Sequence, residues 1–368
     1  MIDVYENTRK DENYKDKMSI KWDADLESYR KRNIPKKFSS TQIIKSIYRP
    51  FISKNLYFDK HFNGRTYQWY DIYREEKDNQ YLVVPGLGSQ KDFHVLGINT
   101  IVDLNALPAG GQTLPLYTFD SDGNRLDNIT EWGLGQFRER YGDSKISRED
   151  IFHYVYGVLH NPEYRKKYEL NLKREFPRVP FYEEFWAWAE QGKKLMELHI
   201  GYEDVEPWDL ERVDLEGVSY PSRASGYGEK GLRQDVGLDS SPGLREPQPP
   251  ALNDGTRETP TVNSVDSSLK GAHYKVKLKA DKEKGIIYID ENTALTGVPP
   301  EAWEYKLGNR SALEWVLDQY KEKKPRDKTI REKFNTYRFA DYKEEVIVLL
   351  GKVCRVSVET VGIVRGMW

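Results

Sequence analysis

The chain has a single cysteine, Cys354, in 368 residues. That excludes an internal disulfide framework and any cysteine-built zinc or iron–sulfur centre. Its neighbours, VCRVSV, read as a buried alternating segment in which the thiol is inert. Histidine is scarce too. Of the six, only His153 and His160 approach each other at helical spacing, and seven residues apart without a carboxylate or third ligand is a poor metal site. No apolar run approaches the roughly 18 residues of a membrane span. The opening MIDVYENTRKDENYKD has no apolar stretch to mark it for secretion, so a cytoplasmic location is expected. Neither sign of charge prevails: 57 Lys and Arg face 59 Asp and Glu, well interspersed, which argues against wholesale disorder.

Catalytic signatures are missing as well. There is no Gly-Lys-Ser/Thr phosphate loop, nucleophile elbow, H-E-x-x-H helix or spaced carboxylate set ending in E-x-K. Asp290 and Glu291 end a strand beside a turn, where acids are common, and give no two-metal argument. The sequence Asn161-Pro162-Glu163-Tyr164 resembles the Asn/Asp-Pro-Pro-Tyr loop of adenine-N6 methyltransferases, but glutamate stands where the second proline is needed. The residues sit at a helix start, where Asn161 is suited to cap, Pro162 to occupy the first helical position, and an acid to face the exposed N–H groups. Capping is the reading adopted.

What is present is a 38% hydrophobic, 13% aromatic chain, long enough for a sizeable core and for two or three domains. Charge is unevenly spread. Between Arg30 and Arg65 stand ten Lys/Arg and one acid, Asp59, interleaved with Tyr48, Phe51, Tyr57 and Phe58. Such a block suits phosphate neutralisation, with aromatics fixing the segment or stacking; a solvated basic face is the plainer alternative. Lys31, Arg32, Lys36, Lys37, Arg49, Lys54 and Lys60 are the backbone-contact candidates. They are expected to converge on one concave face with the turn in VVPGLGSQKDF, because a duplex is followed by one connected positive surface. That turn fits neither the dinucleotide nor the phosphate-loop fingerprint. It reads as a tight structural turn, a presentation of Ser89, Gln90 and Lys91 to nucleic acid, or a cofactor loop. Arg65 and Gln68, on or beside another turn, join Ser89, Gln90 and Lys91 as candidate base contacts. No residue is assigned to catalysis or to a metal.

Along the chain, residues 1–37 read as a peripheral lead-in and 38–146 as a β-rich part. Within the latter, KKFSSTQIIKSIYRPF suggests a short helix capped at Ser39 or Ser40, with Ile43, Ile44 and Ile47 on one side and Pro50 as stop. Asn63-Gly64 suggests a hairpin reversal. Strands are expected at Tyr81–Val84, twice more after the glycine-rich turn of QYLVVPGLGSQKDFHVLGINTIVDLNAL, and around Asp122-Gly123. From 147 to 221 a helical layer is expected: a capping box of Ser147 and Asp150, a second helix from Asn161, and a third rich in Phe185, Trp186, Leu195, Met196 and Leu198. Residues 222–268, crowded with Gly, Pro and Ser, read as a flexible insert or linker. Residues 269–368 promise a hairpin of YKVKLKA and GIIYID, a helix boxed by Ser311 and Glu314, and a last helix broken at Gly351. Asn309 and Arg310 precede that boxed helix, and Arg310 suits a fork to a carboxylate or a phosphate. The fold class is therefore α+β: a β-rich half, a helical layer, then a C-terminal hairpin with helices.

Several long stretches in this order carry a resemblance: YRPF…LYFDKHF, VPGLGSQKDF…IVDLNAL, LPLYTFD, IFHYVYGVLHNPEYRKKYELNLKREFPRVPF, YKVKLKADKEKGIIYID, AWEYKLGNRSALEWVLDQYK and FNTYRFADYKEEVI. Over about residues 38–361 the chain resembles the C-terminal specificity region of type ISP restriction–modification enzymes. These are single-chain enzymes that fuse nuclease, helicase-like ATPase, adenine methyltransferase and target-recognition parts. Tyr48, Arg49, Pro50 and Phe51 match the family's entry into target recognition, and Gly86, Gly88, Ser89 and Lys91 match its glycine turn. The resemblance implies sequence-specific recognition of double-stranded DNA beside a methyltransferase core supplied in cis or in trans. It implies no membrane, and S-adenosylmethionine, ATP and magnesium only for the complete enzyme. Two rivals remain: a scaffold docking the methyltransferase core to its motor without touching DNA, and a stand-alone methyltransferase or nuclease.

Overall fold

The computed structural model describes residues 2–11, 13, 24–64, 66–108, 110–214, 276–326, 331–332 and 335–367. Among these the fold is α+β, with helices interspersed among short antiparallel sheets. The 222–268 stretch and Arg65 lie outside the described residues. The chain forms two compact units: Met1–Trp208 with Pro299–Gln319 and Leu349–Trp368, and Asp209–Val298 with Tyr320–Val348.

In the first unit, α1 (Ile2–Thr8) and α2 (Ala24–Lys31) bury Tyr5 and Leu26 against Val4, Tyr29 and Phe62. The expected lead-in thus packs into a small core together with Phe62 of the following part. The expected helix over 39–47 is instead one turn of 3-10 helix at Ser40–Gln42 and then a strand, β1 (Ile43–Arg49), paired with β2 (Ile52–Tyr57). Ile43, Ile44 and Ile47 are spaced for a helix but β-branched, and cross-strand packing takes them. The reversal comes at Pro50-Phe51, with Phe51 left-handed at φ 58°, and not at Asn63-Gly64. Asn63 instead caps a local turn, its Oδ1 accepting from the Asp59 N–H at 2.7 Å.

After α3 (Trp69–Ile72) come β3 (Tyr81–Pro85), β4 (Leu96–Ile98) and β5 (Gly111–Pro115), a three-stranded sheet with β3 central and buried throughout. The second strand expected after the glycine turn is reduced to an isolated bridge, Val102 to Ile47. The hairpin β6 (Tyr117–Phe119) and β7 (Arg125–Asp127) turns at Gly123, φ 80°.

A helix, α4 (Glu131–Tyr141), lies inside the stretch read as β-rich. Gly133 and Gly135 weaken the helical propensity, although Leu134, Phe137 and Tyr141 keep helical spacing and pack on the core; the Thr130 hydroxyl caps it, accepting from the Gly133 N–H at 3.1 Å. Next come α5 (Arg148–His160), α6 (Pro162–Lys167), α7 (Glu169–Leu172) and α8 (Phe185–Ile200). The Ser147/Asp150 capping box is formed. Asn161 Oδ1 accepts from the Tyr164 N–H at 2.9 Å, with Pro162 in the first turn.

The core joins Leu82 and Val84 of β3 to Phe152, Tyr156 and Leu159 of α5 and to Leu195 and Met196 of α8. The two helices meet at glycines: a Cβ on Gly192 would stand 1.8 Å from the His153 carbonyl oxygen, and one on Gly157 2.8 Å from that of Trp188. Side chains are excluded there, so backbones touch. Beside this contact runs a buried chain of hydrogen bonds. Thr360 donates to the Val356 carbonyl at 2.6 Å, so its oxygen accepts from His199 Nε2–H at 2.8 Å. His199 Nδ1 is then bare and accepts from the Tyr156 hydroxyl at 2.6 Å, which itself accepts from the Gly97 N–H at 2.7 Å. All members are neutral. Burial, then the Arg165 cation, pushes His199 down to about 3, and burial raises Tyr156 well above its usual value.

The second unit holds a sheet of β8 (Glu211–Asp214), β9 (Lys279–Asp281), β10 (Ile286–Tyr288) and β11 (Thr293–Thr296) in the order β8-β11-β10-β9. The expected hairpin is β9–β10. Asp290, buried, pairs with Lys343 at 2.7 Å. Back in the first unit, β12 (Lys306–Leu307) and β13 (Arg310–Ser311) form a two-stranded ribbon leading into α9 (Ala312–Gln319). Ser311 Oγ and Glu314 close the expected box. Arg310 reaches Asp318 at 3.0 Å through one nitrogen and lies over Trp315, so of the two expected partners the carboxylate is the one observed. The last helix, α10 (Lys343–Arg365), runs unbroken through Gly351. A Cβ there would meet Pro207 Cβ at 2.9 Å, so close packing and not a break explains the glycine. Cys354 is buried within this helix, its thiol pushed up to about 12 by burial; the inert reading stands, on a helix rather than an alternating segment.

Candidate nucleic-acid interface

The basic block resolves into cations with different duties. Lys31 closes α2, exposed, and Lys37 and Lys60 are exposed as well; none of the three has an ion pair among the described residues. Arg32 is exposed and lies over the Tyr29 ring at 5.1 Å. Lys36 is committed inward: its Nζ stands 3.2 Å from Asp59, the lone acid of the block. Burial works against the Asp59 charge, but the His61 N–H and then Lys36 hold its carboxyl below the usual range. Arg49 is buried, pairs with Asp103 at 3.1 Å, and rests on the Tyr48 ring at 4.2 Å. Its guanidinium is thus engaged within the protein.

Lys54 differs from both groups. It shares the Tyr48 ring with Arg49, its Nζ 4.9 Å from the centroid, and no acid pairs with it among the described residues. Burial, then Arg49, brings its ammonium down to about 8. An anion arriving at the β1–β2 hairpin would relieve that cost.

The glycine turn is built for shape. Gly88 is left-handed at φ 83°, and its N–H donates to the Lys173 carbonyl at 2.8 Å, which ties the turn to the end of α7. Ser89 is buried, its hydroxyl accepting from the Lys91 N–H at 3.1 Å. It positions the turn and is not presented outward. Gln90 and Lys91 are exposed. Gln68, exposed, precedes α3, and Arg65 lies outside the described residues. The structure brings Arg49 and Lys54 together on one ring and Lys36 to Asp59, while the glycine turn is anchored on the helical layer.

A cleft of about 720 Å³ was not anticipated. It lies among β1, the segment from Tyr73 to Gln80, the Asn99-Thr100 loop, β7 and α5, and is lined by polar side chains including Arg74, Gln80, Asn99, Arg125 and His153. These come from four separated stretches, so no spacing rule gathers them; the run YREEKDNQ is the nearest local signal. Among the described residues no grouping of His, Cys, Asp and Glu could hold a metal ion, and no helix is long and apolar enough to cross a membrane.

The family model of the Type ISP C-terminal specificity domain matches residues 1–349. No curated protein matches the sequence. Among solved structures, the chain is similar to part of DrdV, determined by cryoEM as a complex with DNA, at 39% identity and TM-score 0.76 over 99% of this chain and 32% of that one. Two more share its fold: a nuclease-deletion mutant of the Type ISP restriction–modification enzyme LlaGI with a DNA substrate mimic, and the ATP-dependent Type ISP enzyme LlaBIII bound to DNA. Identities are 23% and 21%, TM-scores 0.65 and 0.69, each over 100% of this chain and 30% and 21% of those chains. The chain thus spans about a third or less of the solved chains it matches. With a family match over nearly its whole length and the expected glycine turn and capping boxes in place, this chain belongs to the Type ISP C-terminal specificity domain family.

Proposed function

We propose that the chain recognises a specific sequence in double-stranded DNA on behalf of a restriction–modification enzyme. Its adenine-N6 methyltransferase, ATPase and nuclease activities, with S-adenosylmethionine, ATP and magnesium, would belong to other regions or chains. The observation that carries this is the likeness at 39% identity to part of DrdV, which was solved as a complex with DNA. Exposed Lys31, Arg32, Lys37 and Lys60 support phosphate contact, with Lys54 as a half-buried cation awaiting an anion. Arg49 and Lys36 serve the fold, and Gln68, Gln90 and Lys91 remain base-contact candidates. Fluorescence anisotropy on duplex DNA tests the reading. Binding at low salt, with log K falling linearly against log salt, is expected; no binding, or binding indifferent to salt, overturns it.

The docking role stands beside it, favoured by the exposure of Leu170, Phe176, Phe181 and Trp186 on the helical layer. Co-elution with a separately expressed methyltransferase core at micromolar concentration is expected, and separate elution removes it.

A further inference from the structure

The cleft is concave, and the floor of a DNA groove is concave too, so the one cannot read the other by simple apposition. Only a part of DNA that protrudes fits a cleft: the phosphate ridge or a base turned out of the stack. Its walls decide between these. Glu75, Asp78 and Glu149 line it together with Lys45, Arg74, Lys77 and Arg125, a mixed lining rather than the unbroken positive surface that a phosphate ridge calls for. The Tyr117 hydroxyl, then partial burial opposing it, sets the balance at Glu149, whose carboxyl is held below the usual range. The cleft is also more polar than ordinary small-molecule pockets, which are lined mainly by apolar side chains, while its volume is in the range that encloses a molecule of nucleotide size.

The floor is fixed in advance. Gln80 Oε1 lies 3.0 Å from His153 Nε2. A carbonyl oxygen only accepts, so His153 carries its proton on Nε2, and the Gln80 amide is turned with its two N–H donors away from the histidine. Arg125 is held by the Tyr117 ring at 4.4 Å and by the Asp78 carbonyl at 3.1 Å, which leaves further guanidinium donors. Arg74 lies over Phe119 at 5.4 Å, one nitrogen donating to the Tyr73 carbonyl at 2.8 Å. Asn99 is exposed, with no partner among the described residues. Amides and arginine forks are the groups that read base edges, and here they are oriented by their neighbours.

Resting on the DNA-recognition reading above, we propose that this cleft receives one nucleotide extruded from the duplex, its base edge met by Gln80 and Asn99. His153 is a positioning residue that fixes the Gln80 amide. Extrusion breaks stacking and pairing without any covalent step, and the lost interactions are replaced by those of the cleft.

The test uses duplexes recovered by this chain from a randomised pool, with 2-aminopurine substituted at one position at a time. Binding should brighten the fluorophore at one position. Gln80→Ala and Asn99→Ala should each cut that brightening severalfold, while anisotropy shows roughly a 5- to 150-fold loss of affinity, the range of one base contact. Asn99 is exposed, so its variant keeps the test valid if Gln80→Ala fails to fold by thermal melting. His153→Phe should lose the brightening as Gln80→Ala does and add nothing to it in the double variant. No brightening at any position with wild-type protein bound, or brightening unchanged in Gln80→Ala and Asn99→Ala, overturns the proposal while leaving DNA recognition intact. Failure of the wild-type chain to bind any duplex overturns both.

Discussion

The α5–α8 interior and the β1–β2 hairpin both concentrate polar side chains, and they use them in opposite ways. Along the Gly97–Tyr156–His199–Thr360 chain every donor meets an acceptor and no member carries charge. Around Tyr48 two cations share one ring, and Lys54 has no acid to balance it. A polar group that is fully paired inside serves the fold, because any vacancy there costs its whole desolvation. Lys54 is half-buried over the Tyr48 ring with no acid to balance it among the described residues, and burial works against its charge. Type of residue does not separate Lys54 from the members of the hydrogen-bonded chain; the completeness of the partner set does.

The interior should break hardest. Gly192→Ala puts a methyl group inside the His153 carbonyl and must push α5 and α8 apart. A loss of about 3 kcal/mol or more is expected in chemical denaturation, at or beyond the upper end of overpacking costs. Tyr156→Phe should cost less, about 2 kcal/mol, by leaving the Gly97 N–H and His199 Nδ1 unpartnered.

The same interior predicts a pH dependence. His199 is held at about 3 in the fold against an ordinary value near 6.5 when unfolded, so the unfolded chain takes up its proton first. Its neutral form stabilises the protein fully above pH ~6.5, and that contribution is lost as pH falls from there toward 3. Thermal melts between pH 7.5 and 4.5 should show the midpoint dropping, and dropping less in His199→Gln if that variant folds.

How much of this was legible in the sequence depended on range. Caps were, because Ser147 with Asp150, Ser311 with Glu314, and Asn161 before Pro162 are decided within four residues. The isoleucines of β1 were not. Their spacing fits a helix, and what makes them a strand is pairing with β2 around a left-handed Phe51. The partner of β11 is β8, some 80 residues earlier, and no local pattern announces it. At the site, the family-matched glycine turn was visible, but the division of the basic block was not. That Arg49 is buried against Asp103 and Lys36 against Asp59 depends on tertiary neighbours. Gln80 and His153 stand 73 residues apart, so their contact had no signature.

The hairpin gives subtler effects. A phosphate beside Lys54 would raise its pKa from about 8, so binding takes up a proton near and above that pH. DNA affinity should therefore fall as pH rises from 7 to 9 at constant salt, and Lys54→Met should flatten that fall while weakening binding; an unchanged pH profile would remove Lys54 from the interface. Smallest is Lys37→Ala. It should weaken all DNA sequences alike and lower the salt slope by roughly 0.9, since one phosphate contact carries no base information. Lys36→Ala should act mainly on stability, through Asp59.

Sequence-specific recognition itself is tested most directly by selection. The 368-residue chain is mixed with a pool of duplexes randomised over a central segment, and the bound fraction is sequenced through successive rounds. Enrichment of one defined sequence, bound at least about 10³-fold more tightly than the unselected pool, is the expected result. A bound fraction that stays as random as the input, with affinity indifferent to sequence, would contradict it.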